Sequence, residues 1–122
     1  MNIEELRDYC LSFAGASESM PFDDTTLVFK VMDKMFALTS LDGELSISVK
    51  CNPELAIELR ERYSCVVPGY HMNKVHWNTV FIDGTVAEVL VKEWITRSYT
   101  LIVAALPKKL KDELAQIQKE CS

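Results

Sequence analysis

Apolar residues recur at two different periods along this chain. Near the N-terminus Ile3, Leu6, Cys10 and Phe13 return every three or four positions, the spacing of one helix face. Asn2 followed by Glu5 is a capping-box pair, and Gly15 offers a stop, so a helix is predicted over about 3–13. The next segment, ASESMPFDD, has no period, and Pro21 denies Met20 the α region, which predicts an irregular connection. From residue 26 the period shortens to two. TLVFKVM and MFALTSL read as strands joined at Asp33-Lys34, and Asp42-Gly43 is a hairpin signal leading into ELSISVK. There Leu45, Ile47 and Val49 alternate with Ser46, Ser48 and Lys50, the pattern of an antiparallel strand with one wet side.

Asn52-Pro53 is a helix start, a cap followed by a proline whose missing N–H costs nothing in the first turn. The helix runs through CNPELAIELRERY and is broken at Val67-Pro68-Gly69. His76 to Ile82 is predicted as another strand, closed by a turn at Asp83-Gly84. Thr85 with Glu88 reads as a second capping box opening a helix, with a break near Thr96 before RSYTLIVAAL. Pro107 restarts it as PKKLKDELAQIQKE, where Leu110, Leu114 and Ile117 form a narrow stripe. The order of elements is that of an α+β fold, a layer of helices against an antiparallel sheet. It lacks the βαβ rhythm and glycine-rich phosphate loop of a nucleotide-binding fold.

A length of 122 residues suits one domain, and 48% apolar content suits a folded core. Cys10, Cys51, Cys65 and Cys121 form no CxxC pair, which argues against a zinc site and against a disulfide scaffold. The start MNIEELRDY carries carboxylates where a secretory signal carries bases, and the longest apolar runs are too short to cross a bilayer. A cytoplasmic protein with no membrane partner is the expectation. The net charge of −5 opposes nucleic-acid binding, which relies on cations displacing counterions from phosphates. Residues 1–44 hold nine acids against three bases, however, so the acidity belongs to the N-terminal part.

Residues 69–84, GYHMNKVHWNTVFIDG, concentrate the polar chemistry. Alternation places His76, Asn78, Val80 and Ile82 on one strand face and Trp77, Thr79 and Phe81 on the other, with Trp77 and Phe81 as core anchors. His76 and Asn78 read two ways, as structural hydrogen-bonding groups or as ligand contacts. His71 and Lys74 sit in the preceding loop, facing a partner or solvent. Asn73 and Asn78 suit the capping of backbone groups. No carboxylate or cysteine completes a metal set with the two histidines, and no motif marks Ser98, Tyr99 or Cys65 as a nucleophile, so no enzyme activity and no cofactor are expected. Lys74, His76 and Asn78, with Arg97, Lys108 and Lys109, have the chemistry for holding phosphates.

The segments PGYHMNKVHWNTVFIDG and SYTLIVAALPKK, with VFKVMDKMFAL upstream, resemble the MmcQ/YjbR family of small bacterial proteins over about residues 3–109. The resemblance implies an α+β fold with a curved antiparallel sheet of the frataxin-like (CyaY-like) kind, helices packed on one face and helices at both ends. It also implies likeness to the double-wing domain of the phage transcription factor MotA, and hence DNA binding. The expectation is therefore one domain over residues 1–122, with a helical extension at about 110–120. It would contact double-stranded DNA through His71, Lys74, His76, Asn78, Arg97, Lys108 and Lys109. The alternative is a non-enzymatic protein-interaction or small-ligand-binding module. The tail helix either packs on the domain or meets a second copy or another protein.

Overall fold

In the computed structural model, which describes residues 1–69 and 72–121, helix α1 (Ile3–Leu11) opens with the expected capping box. Glu5 N donates to Asn2 Oδ1 at 2.8 Å, and Asn2 N donates to Glu5 Oε1 at 3.2 Å. Strands β1 (Ala16–Ser19), β2 (Thr26–Val31), β3 (Lys34–Ser40) and β4 (Ser46–Lys50) follow, then α2 (Pro53–Arg62), β5 (Val66–Pro68) and β6 (Trp77–Phe81). The chain continues with α3 (Glu88–Ala104) and α4 (Lys108–Cys121). All strand pairs are antiparallel, in the order β1-β2-β3-β4-β6-β5.

The resemblance implied a curved sheet, and the structure corrects this. The sheet is flat and uncurled, with β1 and β5 at opposite edges. Curl is built with repeated bulges and strand glycines. These strands hold no glycine and a single register shift, between Phe29 and Lys30. That shift leaves Phe36 unpaired on β3, between the rungs Phe29–Ala37 and Lys30–Met35. The extra residue turns Phe36 onto the helix side, where its ring meets Phe13 (5.8 Å between centroids) and Tyr99 (5.3 Å) edge-on.

The core lies on one sheet face. Leu27, Phe29, Val31, Ile47, Val49 and Val80 alternate onto it and bury against Leu6 and Cys10 of α1, Ala56 and Leu59 of α2, and Val91, Ile95 and Tyr99 of α3. Tyr99 also stacks on Phe13 at 4.5 Å and donates its hydroxyl to Ala14 O at 2.7 Å, anchoring α3 to the α1–β1 corner. Leu114 of α4 joins this core at 2% exposure. It sits over Gly15 (φ +72), where an added Cβ would lie 2.8 Å from Leu114 Cδ1. The tail stripe is thus packed on its own chain.

Several local expectations change. ASES becomes β1 by pairing with β2, from Ala16–Val31 to Ser19–Val28. Its sequence carries no strand signal of its own. The β2–β3 turn falls one residue earlier than expected, on Met32 and Asp33, both at positive φ (49 and 64). Helix α2 ends at Arg62, ahead of the expected break at Val67-Pro68-Gly69, and Val66–Pro68 form β5, which was not expected as a strand, at an edge position where Pro68 needs no ladder N–H. Thr85 does not cap α3. It binds Asp83 Oδ1 through N (3.0 Å) and Oγ1 (2.6 Å), leaving Ala87 as the cap residue. Nor does α3 break near Thr96, since Thr96 and Thr100 return their hydroxyls to Lys92 O and Thr96 O within the helix.

Cys10 is fully buried, and burial pushes its thiol from an ordinary 9.0 up to about 12. Between those values the folded state holds a proton that the unfolded state has lost, so stability falls as pH rises. The slope reaches roughly 1.4 kcal/mol per pH unit from this group. Urea melts at pH 8 to 10.5 are expected to show a steeper alkaline loss in the native protein than in Cys10→Ala. Parallel pH dependence in the two would remove Cys10 as the cause.

Candidate functional site

The sheet face turned away from the core carries a continuous mixed row. The register aligns Val28, Leu38, Ser48 and Thr79 across four strands, with Thr26 and Ser40 paired one step along. Ser48 and Thr79 share a hydrogen bond at 2.8 Å between their hydroxyl oxygens. Over this row lies a cleft of about 500 Å³. Its floor and walls are five hydroxyl residues (Thr26, Ser40, Ser46, Ser48 and Thr79) with Met35 and Leu38, and Phe22, Asp23 and Met72 come from two loops.

Both loops are tied down. In the first, Asp23 Oδ1 accepts from Thr25 N (2.9 Å) and Thr26 N (2.7 Å), while Oδ2 accepts from Thr26 Oγ1 (3.3 Å). The Thr25 N–H above all, then the Thr26 hydroxyl, hold the Asp23 carboxyl below the usual carboxylate range. Leu41 N donates to Thr25 O at 2.7 Å and fastens the loop to the end of β3. In the second loop Asn73 organises the turn. Its Oδ1 accepts from Val75 N at 2.9 Å, and its carbonyl accepts from Trp77 N at 2.9 Å and His76 N at 3.3 Å. Arg60 of α2 clamps the same turn by donating to the carbonyls of Lys74 and Trp77. At Gly69 an added Cβ would stand 2.8 Å from Trp77 Cβ and 2.9 Å from Trp77 O, so the approach to β6 requires glycine.

Among the described residues, none of the sequence-predicted contact residues lines this cleft. His71 lies outside the described residues. Lys74, Lys108 and Lys109 are exposed, the last two in the first turn of α4. His76 is half-buried beside β6, its carbonyl accepting from Cys51 N at 2.7 Å. Asn78 is 1% exposed on the helix side. Its Oδ1 accepts from Arg60 Nε at 2.6 Å and its Nδ2 donates to Ala56 O at 3.2 Å, leaving no outward edge. Arg97 pairs with Glu93 at 2.9 Å on the surface of α3. With Cys51 and Asn52 it borders a shallower groove of about 250 Å³.

The β6 alternation is therefore as expected but its sides are exchanged. Asn78 and Val80 face the helices, and Thr79 faces the cleft. Ser98 and Tyr99, weighed as nucleophiles, are both engaged structurally. The Ser98 hydroxyl accepts from Lys50 N (2.8 Å) and donates to Phe36 O (2.6 Å). The residues missed by sequence reasoning are Phe22, Met35 and Met72. The wet side of β4, Ser46 and Ser48, was the signal that pointed toward them.

The fold and site define a small α+β protein whose flat sheet is covered by helices on one face and carries a loop-rimmed cleft on the other. The chain belongs to the YjbR family, whose sequence model matches residues 11–101. It is 36% identical over 118 residues to the YjbR protein of Escherichia coli (strain K12), covering 96% of this chain and 100% of that one. It is 37% identical over 90 residues to YbdF of Escherichia coli O157:H7, covering 73% and 74% of the two chains. Among solved structures, protein DR2400 of Deinococcus radiodurans superposes with a TM-score of 0.87 at 40% identity, covering 93% of this chain and 88% of that one. A Pseudomonas syringae protein superposes at 0.71 with 28% identity, covering 83% and 98%. No helix among the described residues is long and apolar enough to cross a membrane.

Proposed function

We propose that this protein is a non-enzymatic binding module that holds a small, uncharged amphipathic molecule in the sheet-face cleft. The observation that carries this reading is the cleft itself. Its roughly 500 Å³ falls within the range of small-ligand sites, about 300–1,000 Å³. Its floor stands on strands, and both rims are fixed by hydrogen bonds, so little ordering has to accompany binding. Among the described residues the cleft wall holds no Lys, Arg or His, and its one carboxylate, Asp23, is satisfied by Thr25 and Thr26. Such a lining favours neither a phosphate nor a cation.

DNA binding through Lys74, His76, Arg97, Lys108 and Lys109 is the competing reading, and one titration series separates the two. Amide chemical shifts are followed by NMR while a library of neutral fragments, and separately a 20-base-pair duplex at low salt, is added. Fragments are expected to move the amides of Leu38, Ser48 and Thr79, and Ser46→Trp, which fills the cleft from a half-buried strand position, is expected to abolish those shifts. Silence of these amides toward every fragment, with duplex-induced shifts at Lys74 and Lys108, would overturn the cleft reading in favour of phosphate contact.

A further inference from the structure

We infer that the cleft's ligand is a planar aromatic compound whose polar edge is a neutral hydroxyl or carbonyl group. The inference rests on the cleft being a ligand site and names the chemistry that fits it. Phe22 is a cleft-lining aromatic that remains 68% exposed. The Asp23–Thr25–Leu41 ties hold its loop in place, so the ring is presented at the mouth. A large apolar ring left in water on a fixed rim lacks the partner that burial normally supplies, and a second ring stacked on it provides one. Met35 and Met72 come from separate elements, a strand and the opposite loop, to line the same space. Thioethers are polarizable and favour the edges of aromatic rings over saturated groups of equal size.

The polar side is equally selective. The Ser46 hydroxyl has no hydrogen-bond partner among the described residues, and its neighbour Ser48 is 4% exposed at the cleft floor. The Ser48 and Thr79 hydroxyls bond to each other at 2.8 Å, so the Ser46 hydroxyl is the group offered to a ligand. It donates to and accepts from a neutral oxygen. The described lining supplies no cation to offset desolvation of an ionised ligand, which penalises a carboxylate relative to an alcohol of the same shape.

The test compares three probes by titration against the whole protein: 2-naphthol, its saturated counterpart decahydro-2-naphthol, and 2-naphthoate. The expected order places 2-naphthol roughly tenfold tighter than decahydro-2-naphthol, the ratio that aromatic contacts of this kind supply. 2-Naphthoate is expected to be weaker than 2-naphthol. Phe22→Ala, at an exposed position, is expected to lower 2-naphthol affinity several-fold and decahydro-2-naphthol affinity by a smaller factor, and Met35→Leu to act in the same direction at constant volume. Equal or tighter binding of decahydro-2-naphthol overturns the aromatic class while keeping the cleft as a ligand site. Equal binding of 2-naphthoate overturns the neutral class in the same way. No binding by any of the three, together with no fragment shifting the cleft amides, overturns the site and the inference together.

Discussion

Replacing Ser98 by alanine is expected to destabilise the fold by about 2–4 kcal/mol, on the scale of two buried backbone groups losing their partner. The geometry behind this figure is a gap in the sheet. The β3–β4 ladder has the rungs Leu38–Ser48 and Ala37–Val49, and the next rung would join Phe36 to Lys50. The bulge at Phe36 turns that residue toward the helices and opens the rung. The Ser98 hydroxyl, fully buried on α3, fills the opening, accepting from Lys50 N at 2.8 Å and donating to Phe36 O at 2.6 Å. Alanine removes the bridge and leaves a donor and an acceptor facing an apolar core. Tm should fall by roughly 8–15 °C for a domain of this size. The Lys50 amide should exchange faster with solvent. A wild-type melt with Lys50 still protected would show that the strands close up by themselves and that the hydroxyl is dispensable.

The same site explains what sequence could and could not tell. Periodicity recovered most elements because their signals are local. The capping box of α1, the Asn52-Pro53 start of α2 and the alternation of β4 all depend on residues close in sequence. What failed depends on distant partners. ASES is a strand because β2 lies beside it, and α3 passes Thr96 without a break because the helix absorbs both threonine hydroxyls. Ser98 stood out as a family residue, yet its role rests on a bulge sixty-two positions earlier, which no local pattern displays. The cleft was half legible. Ser46 and Ser48 marked a wet face, but Phe22 and Met72 reach it from loops whose course is set by Asp23, Asn73 and Arg60. Exchange of the β6 faces has a physical reason too. Sequence logic ranks Trp77 as more apolar than Asn78, whereas a buried asparagine with every bond satisfied is compatible with a core.

Asn78→Ala is expected to cost about 2–4 kcal/mol, because it strands an Arg60 N–H and withdraws the donor to Ala56 O. The amide orientation is fixed by its partners, since a guanidinium can only donate and a carbonyl can only accept. The loss should spread to the cleft. Arg60 uses its other nitrogen to hold the carbonyls of Lys74 and Trp77, so a guanidinium released from Asn78 loosens the turn that carries Met72. Arg60→Met keeps the apolar stem and removes the clamp. It should therefore leave α2 folded while speeding amide exchange at Val75 and Trp77 and weakening cleft ligands. A double-mutant cycle between Asn78→Ala and Arg60→Met should return a coupling of about 1–3 kcal/mol, as expected for groups in one hydrogen-bonded network. The phosphate-contact reading of Asn78 makes the opposite forecast: Asn78→Ala would reduce duplex affinity and leave the urea midpoint untouched. Finding that pattern would overturn the structural role of Asn78. An unfolding midpoint that drops together with the turn's exchange protection, in both single variants, would establish Asn78 and Arg60 as the joint that fixes one wall of the cleft to the core.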